Sequence, residues 1–116
     1  IQVKDANVLV MGLTFKENCP DLRNTKVVDI VSELNEYNMN VDILDPWCSN
    51  EGAQHEYGLE VIKQAQNDKY DGIILAVAHN EFKVMGADVI KALGKKDSVV
   101  YDLKYVLPKN AVDLRL

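Results

Sequence analysis

At 116 residues the chain is sized for one domain, large enough for a core but small for a complete two-substrate enzyme. Thirteen basic against 18 acidic residues leave a net charge of −5, and no basic block is present, which argues against nucleic acid or an anionic membrane as partner. No apolar run approaches the ~20 residues of a membrane span and Ile1 to Asp5 is no signal peptide, so a cytoplasmic domain is expected.

The first predicted element is a buried strand over Asn7 to Met11, ended by Gly12. A polar loop follows, carrying Lys16, Glu17, Asp21 and Arg23. Val27, Ile30, Val31 and Leu34 then recur at i, i+3, i+4 and i+7, which predicts an amphipathic helix from about Thr25 to about Tyr37 with Thr25 or Asn24 as N-cap. Val41, Ile43 and Leu44 form a second strand, closed by Asp45 and stopped by Pro46. The stretch from Trp47 to Gly58 has no strong period and reads as a loop, with a short second helix from about Leu59 to about Gln66. Ile73 to Ala78 is apolar on both faces, as a central parallel strand is, and His79 ends it. A third helix is expected over about Gly86 to Leu93, with Gly94 as its C′ residue. Ser98 to Tyr101 is the fourth strand, ending at Asp102, and the tail from Leu103 to Leu116 has room for one short element.

Strand–helix alternation with continuous apolar strands implies an α/β fold. The expected form is a doubly wound parallel sheet of strand order 2-1-3-4 with helices on both faces. That topology collects the strand-end segments on one sheet edge: the Gly12 to Arg23 loop, Asp45-Pro46-Trp47, His79-Asn80, and Asp102 to Tyr105. Loops beyond the carboxyl ends of such strands are the usual ligand position, and Lys16 and Arg23 there favour an anion.

The dinucleotide fingerprint needs glycines two and five positions after Gly12, where Thr14 and Glu17 stand, and no P-loop is present. A phosphoacceptor receiver is also disfavoured, because Gly12-Leu13 and Ala78-His79 occupy the places of its acidic pair and its aspartate. Lys16 suits a phosphate as a point charge; Arg23 either forks onto a ligand or pairs with Asp21 or Glu17. His79 reads as a capping or loop-bonding group, since no Ser, Cys or carboxylate partner is identifiable from the sequence. Asp45 either binds a ribose hydroxyl or stabilises its turn, and Trp47 reads as a cap on the core edge in preference to a base-stacking residue. Cys19 and Cys48 read as reduced, partly buried loop residues, and no metal site is expected.

Gly12-Leu13-Thr14-Phe15-Lys16, followed by Asp21-Leu22-Arg23-Asn24, resembles the signature that opens the C-terminal domain of the UDP-glucose/GDP-mannose dehydrogenase family. Asp45-Pro46, the run Ala78-His79-Asn80-Glu81-Phe82, and Asp102-Leu103-Lys104 resemble the same family, so the likeness spans nearly the whole chain. It implies a single nucleotide-sugar-binding domain, residues 1–116, of a longer homo-oligomeric enzyme. Members of the family oxidise the C6 alcohol of a nucleotide sugar to a carboxylate with NAD, twice per turnover, for polysaccharide precursors. By motif, Phe15 and Lys16 match substrate-contacting positions and Arg23 one that reaches NAD. Lys104 stands where many members carry a substrate-binding arginine. The resemblance places no catalytic residue in this chain, because the family's nucleophilic cysteine belongs to a glycine-rich motif that is absent here, and Cys19 does not match it. NAD would be held mainly by another domain. The loop from Lys16 to Asn24 is most similar to members acting on UDP-N-acetylhexosamines. The alternative, from a different class, is a free-standing nucleotide-binding or regulatory module without catalysis.

Overall fold

The structure, a computed structural model, describes residues 4–115; Ile1 to Val3 and Leu116, the outer ends of the expected domain, lie outside the described residues. Alternation along the strands decides how the layers form. In β1 (Asn7–Met11), Val8 and Val10 face one way and Leu9 and Met11 the other, and all four are buried. Val8 and Val10 join Val27 and Val31 of α1 (Val27–Glu36) and Ala53 of α2 (Asn50–Tyr57) in one apolar cluster. Leu9 and Met11 join Phe82, Ile90 and Leu93 of α3 (Asn80–Leu93) in a second cluster on the opposite face. Helices therefore cover both faces, as the apolar strands require.

The sheet runs in the order β2-β1-β3-β4-β5, with β2 at Asn40–Leu44, β3 at Tyr70–Leu75, β4 at Gly94–Asp102 and β5 at Leu114–Arg115. All four pairings are parallel, with Val10 opposite Ile43 and Ile74, and Leu75 opposite Asp102. The expected 2-1-3-4 order is present, and the tail adds a 3-10 turn at Lys109–Ala111 and the edge strand β5.

Several boundaries differ from expectation. The second helix lies at Asn50–Tyr57, inside the expected loop, while the expected helix at Leu59 to Gln66 is irregular chain with one bridge from Ile62 to Leu44. Ser49 makes the difference: its Oγ accepts from Gly52 N at 2.9 Å, and Gly58 closes the helix in the left-handed region. The third helix begins at Asn80, with Gly86 at φ 77°, ψ 170° dividing it into two helical pieces, so the glycine marks a kink and not a start. Gly94 is extended (φ −84°, ψ 156°) and already belongs to β4, which begins four residues earlier than expected. The first helix starts at Val27, and Thr25 serves it by accepting from Val27 N at 3.2 Å, although Lys26 occupies the N-cap position. No described helix is long and apolar enough to cross a membrane.

Candidate functional site

The carboxyl ends of β1, β3 and β4 and the start of α1 enclose a cavity of about 280 Å³. Its floor is apolar, built from Val27, Ile30, Ala76, Val77 and Leu103. Around its mouth stand the side chains of Phe15, Lys16, Lys26 and Lys104, with Glu17 the carboxylate among the lining residues. In a chain of net charge −5, this crevice is lined by three lysines against a single carboxylate, as is a second, more polar crevice with Lys91, Lys95 and Lys96 beside Asp113. An apolar floor with cations at the rim suits a ligand that is apolar or ring-shaped at one end and anionic at the other. Phe15 is 54% exposed, so an aromatic face is free to receive a ring.

Gly12 shows what this edge does not hold. Its φ of +105° is open to glycine, and a Cβ built there would lie 2.5 Å from Val77 Cβ. The close approach at this glycine is therefore taken by the chain leaving β3, and not left open for a pyrophosphate. With Thr14 and Glu17 in the remaining fingerprint positions, this chain does not fit a dinucleotide cradle.

Buried aspartates at strand ends hold the loops that carry the rim residues. Asp45, at the end of β2, accepts from Leu13 N at 2.6 Å and Thr14 N at 3.0 Å, and also from Trp47 N at 2.7 Å. Its turn-stabilising role is thus the one observed. His79, fully buried, lies with Nε2 3.0 Å from Asp45 Oδ2 and 3.1 Å from Thr14 Oγ1, while its Nδ1 accepts from Asn18 N at 3.0 Å. Burial raises the Asp45 carboxyl, but the hydrogen bonds from His79 and from the Leu13, Trp47 and Thr14 amides outweigh it, leaving the group below the usual carboxylate range. On the far side, Asp102 accepts from the amides of Lys104, Val106 and Leu107 at 2.8–3.1 Å and so fixes the loop bearing Lys104.

Of the residues singled out from sequence, Phe15, Lys16 and Lys104 come together at the cavity, and Arg23 does not line it. Arg23 forks onto Asp21, with Nε 3.0 Å from Oδ1 and an Nη 3.2 Å from Oδ2. That hydrogen-bonded pair holds the Asp21 carboxyl below its ordinary value. The arginine side chain is 76% exposed, so the pair opens to solvent or to a ligand at little cost. Trp47 stacks on His79 with centroids 6.0 Å apart and donates from its indole nitrogen to Glu81, in the core-edge role expected of it. Both cysteines are free; burial, followed by the Asp45 charge, pushes the Cys48 thiol up to about 12, out of reach of a neutral-pH nucleophile.

Sequence reasoning missed Lys26 and the carboxylate partner of His79. Lys26 had a signal, since it directly precedes the α1 helix, where a cation meets the positive end of the helix dipole and finds no local benefit. For Asp45 and His79 the signal was topological: in the order 2-1-3, the segments that follow β2 and β3 flank the loop leaving β1.

Comparison with known proteins identifies the family. The sequence model described as UDP-glucose/GDP-mannose dehydrogenase family, UDP binding domain, matches residues 9–109. A UDP-N-acetyl-D-glucosamine 6-dehydrogenase of Pseudomonas aeruginosa is 64% identical over 116 residues, covering all of this chain and 28% of that protein. A second protein of that name, from Salmonella typhi, is 49% identical over 116 residues, again all of this chain and 27% of the relative. The chain thus spans about a quarter of the length of the curated relatives it matches. Among solved structures, the NDP-N-acetyl-D-galactosaminuronic acid dehydrogenase of Methanosarcina mazei Go1 superposes with a TM-score of 0.80 at 20% identity, covering 95% of this chain and 23% of that one, and shares the fold. With the family signature running through nearly all of its length, the chain belongs to the UDP-glucose/GDP-mannose dehydrogenase family, as its UDP binding domain.

Proposed function

We propose that this chain is the C-terminal, nucleotide-sugar-binding domain of a longer NAD-dependent 6-dehydrogenase that oxidises the C6 alcohol of a UDP-N-acetylhexosamine to a carboxylate. The observation that carries the reading is the cavity whose rim gathers Phe15, Lys16 and Lys104 over an apolar floor. Lys16 and Lys104 are suited to the diphosphate, and Phe15 to a ring of the ligand. Binding energy from these non-reacting groups positions the sugar for chemistry performed elsewhere in the protein, which is how remote parts of a substrate contribute to catalysis. NAD belongs chiefly to another domain, since Gly12 and its loop make no cradle for it. Arg23, once released from Asp21, reaches the cofactor from this side. The chemistry of the sugar follows the names of the relatives at 64% and 49% identity.

Steady-state kinetics of the full-length enzyme test this. Lys16→Ala removes a charge-assisted contact worth about 1.5–3 kcal/mol, so kcat/KM for the UDP-sugar falls tenfold or more. Arg23→Ala raises the KM for NAD more than that for the UDP-sugar. Unchanged constants in both folded variants would sink the assignment.

A further inference from the structure

The first half of the loop between β1 and α1 is tied to β2 and to the start of α3 on either side of the rim residues, and within the loop Phe15 N also donates to Asp21 O at 2.7 Å. At its start, Asp45 Oδ2 accepts from the Leu13 and Thr14 amides. Midway along it, Asn18 N donates to His79 Nδ1 and Asn18 Oδ1 accepts from Asn80 N at 2.9 Å. Phe15, Lys16 and Glu17 form the exposed span between these points. The imidazole joins the two. Because Nδ1 accepts a backbone N–H, it carries the lone pair, and the ring proton sits on Nε2, facing Asp45 Oδ2 and Thr14 Oγ1. Thr14 in turn donates its hydroxyl to Lys16 O at 3.1 Å. The ring is fixed in turn by Trp47 on one side and by Phe82, edge-on at 5.5 Å, on another.

We propose that His79 is a positioning residue for UDP-sugar binding: its two nitrogens bridge the end of β2 to Asn18 and hold Phe15 and Lys16 at the cavity rim. The inference rests on the reading of Phe15 and Lys16 as substrate contacts. The buried network costs conformational freedom that a solvated loop would keep, and it sets the geometry of that short exposed span.

Two variants of the full-length enzyme separate the arms. His79→Gln places an amide donor near the Nε2 position, toward Asp45, but offers Asn18 no acceptor. His79→Asn keeps an acceptor at the Nδ1 position and loses the donor to Asp45. The expected result is that His79→Gln raises the KM for the UDP-sugar about tenfold, leaves kcat and the KM for NAD nearly unchanged, and speeds amide exchange in residues 13–18. His79→Asn lowers the melting temperature further yet keeps the UDP-sugar KM closer to wild type. In a Lys16→Ala background, the KM effect of His79→Gln largely disappears, because both changes remove the same contact. A KM that simply follows the melting temperature in both variants, or an effect fully additive with Lys16→Ala, would overturn the positioning role. A silent Lys16→Ala would instead sink the binding reading itself, whereas an effective Lys16→Ala beside a silent His79→Gln sinks only the bridge.

Discussion

Asp45 concentrates the most consequential chemistry of any single residue in the domain. One buried carboxylate satisfies the amides of Leu13, Thr14 and Trp47 and meets the imidazole of His79. Its folded-state pKa is lowered, so it binds its proton less readily in the folded chain than in the unfolded one. The resulting stability is fully present above the unfolded value of about 4 and is lost as pH falls below it, through the depressed folded value. Asp45→Asn is therefore expected to be less stable at pH 7, and the gap from wild type should narrow as pH drops below about 4. Urea melts at successive pH values measure this, and parallel curves for the two proteins would refute it. At the same scale, the pairing of Arg23 with Asp21 was one of two readings open from the sequence. Local spacing of two residues suffices for that fork, but nothing in the sequence weighs it against a ligand that a separate domain would bring.

At the scale of elements, periodicity found β1, β2, β3 and α1. β3 nevertheless lies at Tyr70–Leu75, three residues earlier than the expected Ile73 to Ala78, whose last three residues, Ala76 and Val77 buried among them, lie beyond the strand. β1 buries Val8 through Met11 and α1 buries Val27 and Val31 one turn apart, so pattern and packing agree there, while β2 fully buries Ile43 alone. α2 buries only Ala53, so it has no stripe to find and is defined by its ends instead, Ser49 and Gly58. Ser49→Ala removes the hydrogen bond to Gly52 N and should cost about 1 kcal/mol, seen as a lowered melting temperature with unchanged far-UV signal at low temperature. An equal melting temperature would mean that tertiary contact alone holds α2, with Tyr57 donating to Leu22 O as its main anchor. The early start of α3 was hidden for a different reason. Gly86 looked like a boundary because it is one locally, at φ 77°, yet the chain resumes its helix on the far side and buries Ile90 and Leu93. Phe15, Lys16 and Lys104 at the rim were singled out through motif and Lys26 beside them was not, while the buried bridge beneath them depends on pairs 31 to 65 positions apart, which no local pattern encodes.

For the molecule as a whole, charge is distributed against its average. A chain of net charge −5 gathers three lysines around this crevice, so an incoming diphosphate meets a local charge opposite in sign to the chain's average. UDP affinity of the full-length protein should fall as salt rises, because screening at about 0.15 M already shortens the field to roughly 8 Å. Lys16→Ala should make that salt dependence shallower, and titration calorimetry at several ionic strengths reads both slopes. A salt-independent affinity would mean that contacts other than the lysines dominate. The bridge at His79 also bears on the order in which the domain assembles. Thr14 and Asn18 are tied to His79 across 65 and 61 positions of chain. Until β2 and β3 have both docked beside β1, the ring has no place to sit and the loop no reason to take its shape. Helices and hairpin-range contacts can form earlier, but a nascent chain acquires its binding competence only when the topology closes, so ligand recognition serves as an internal inspection of finished folding.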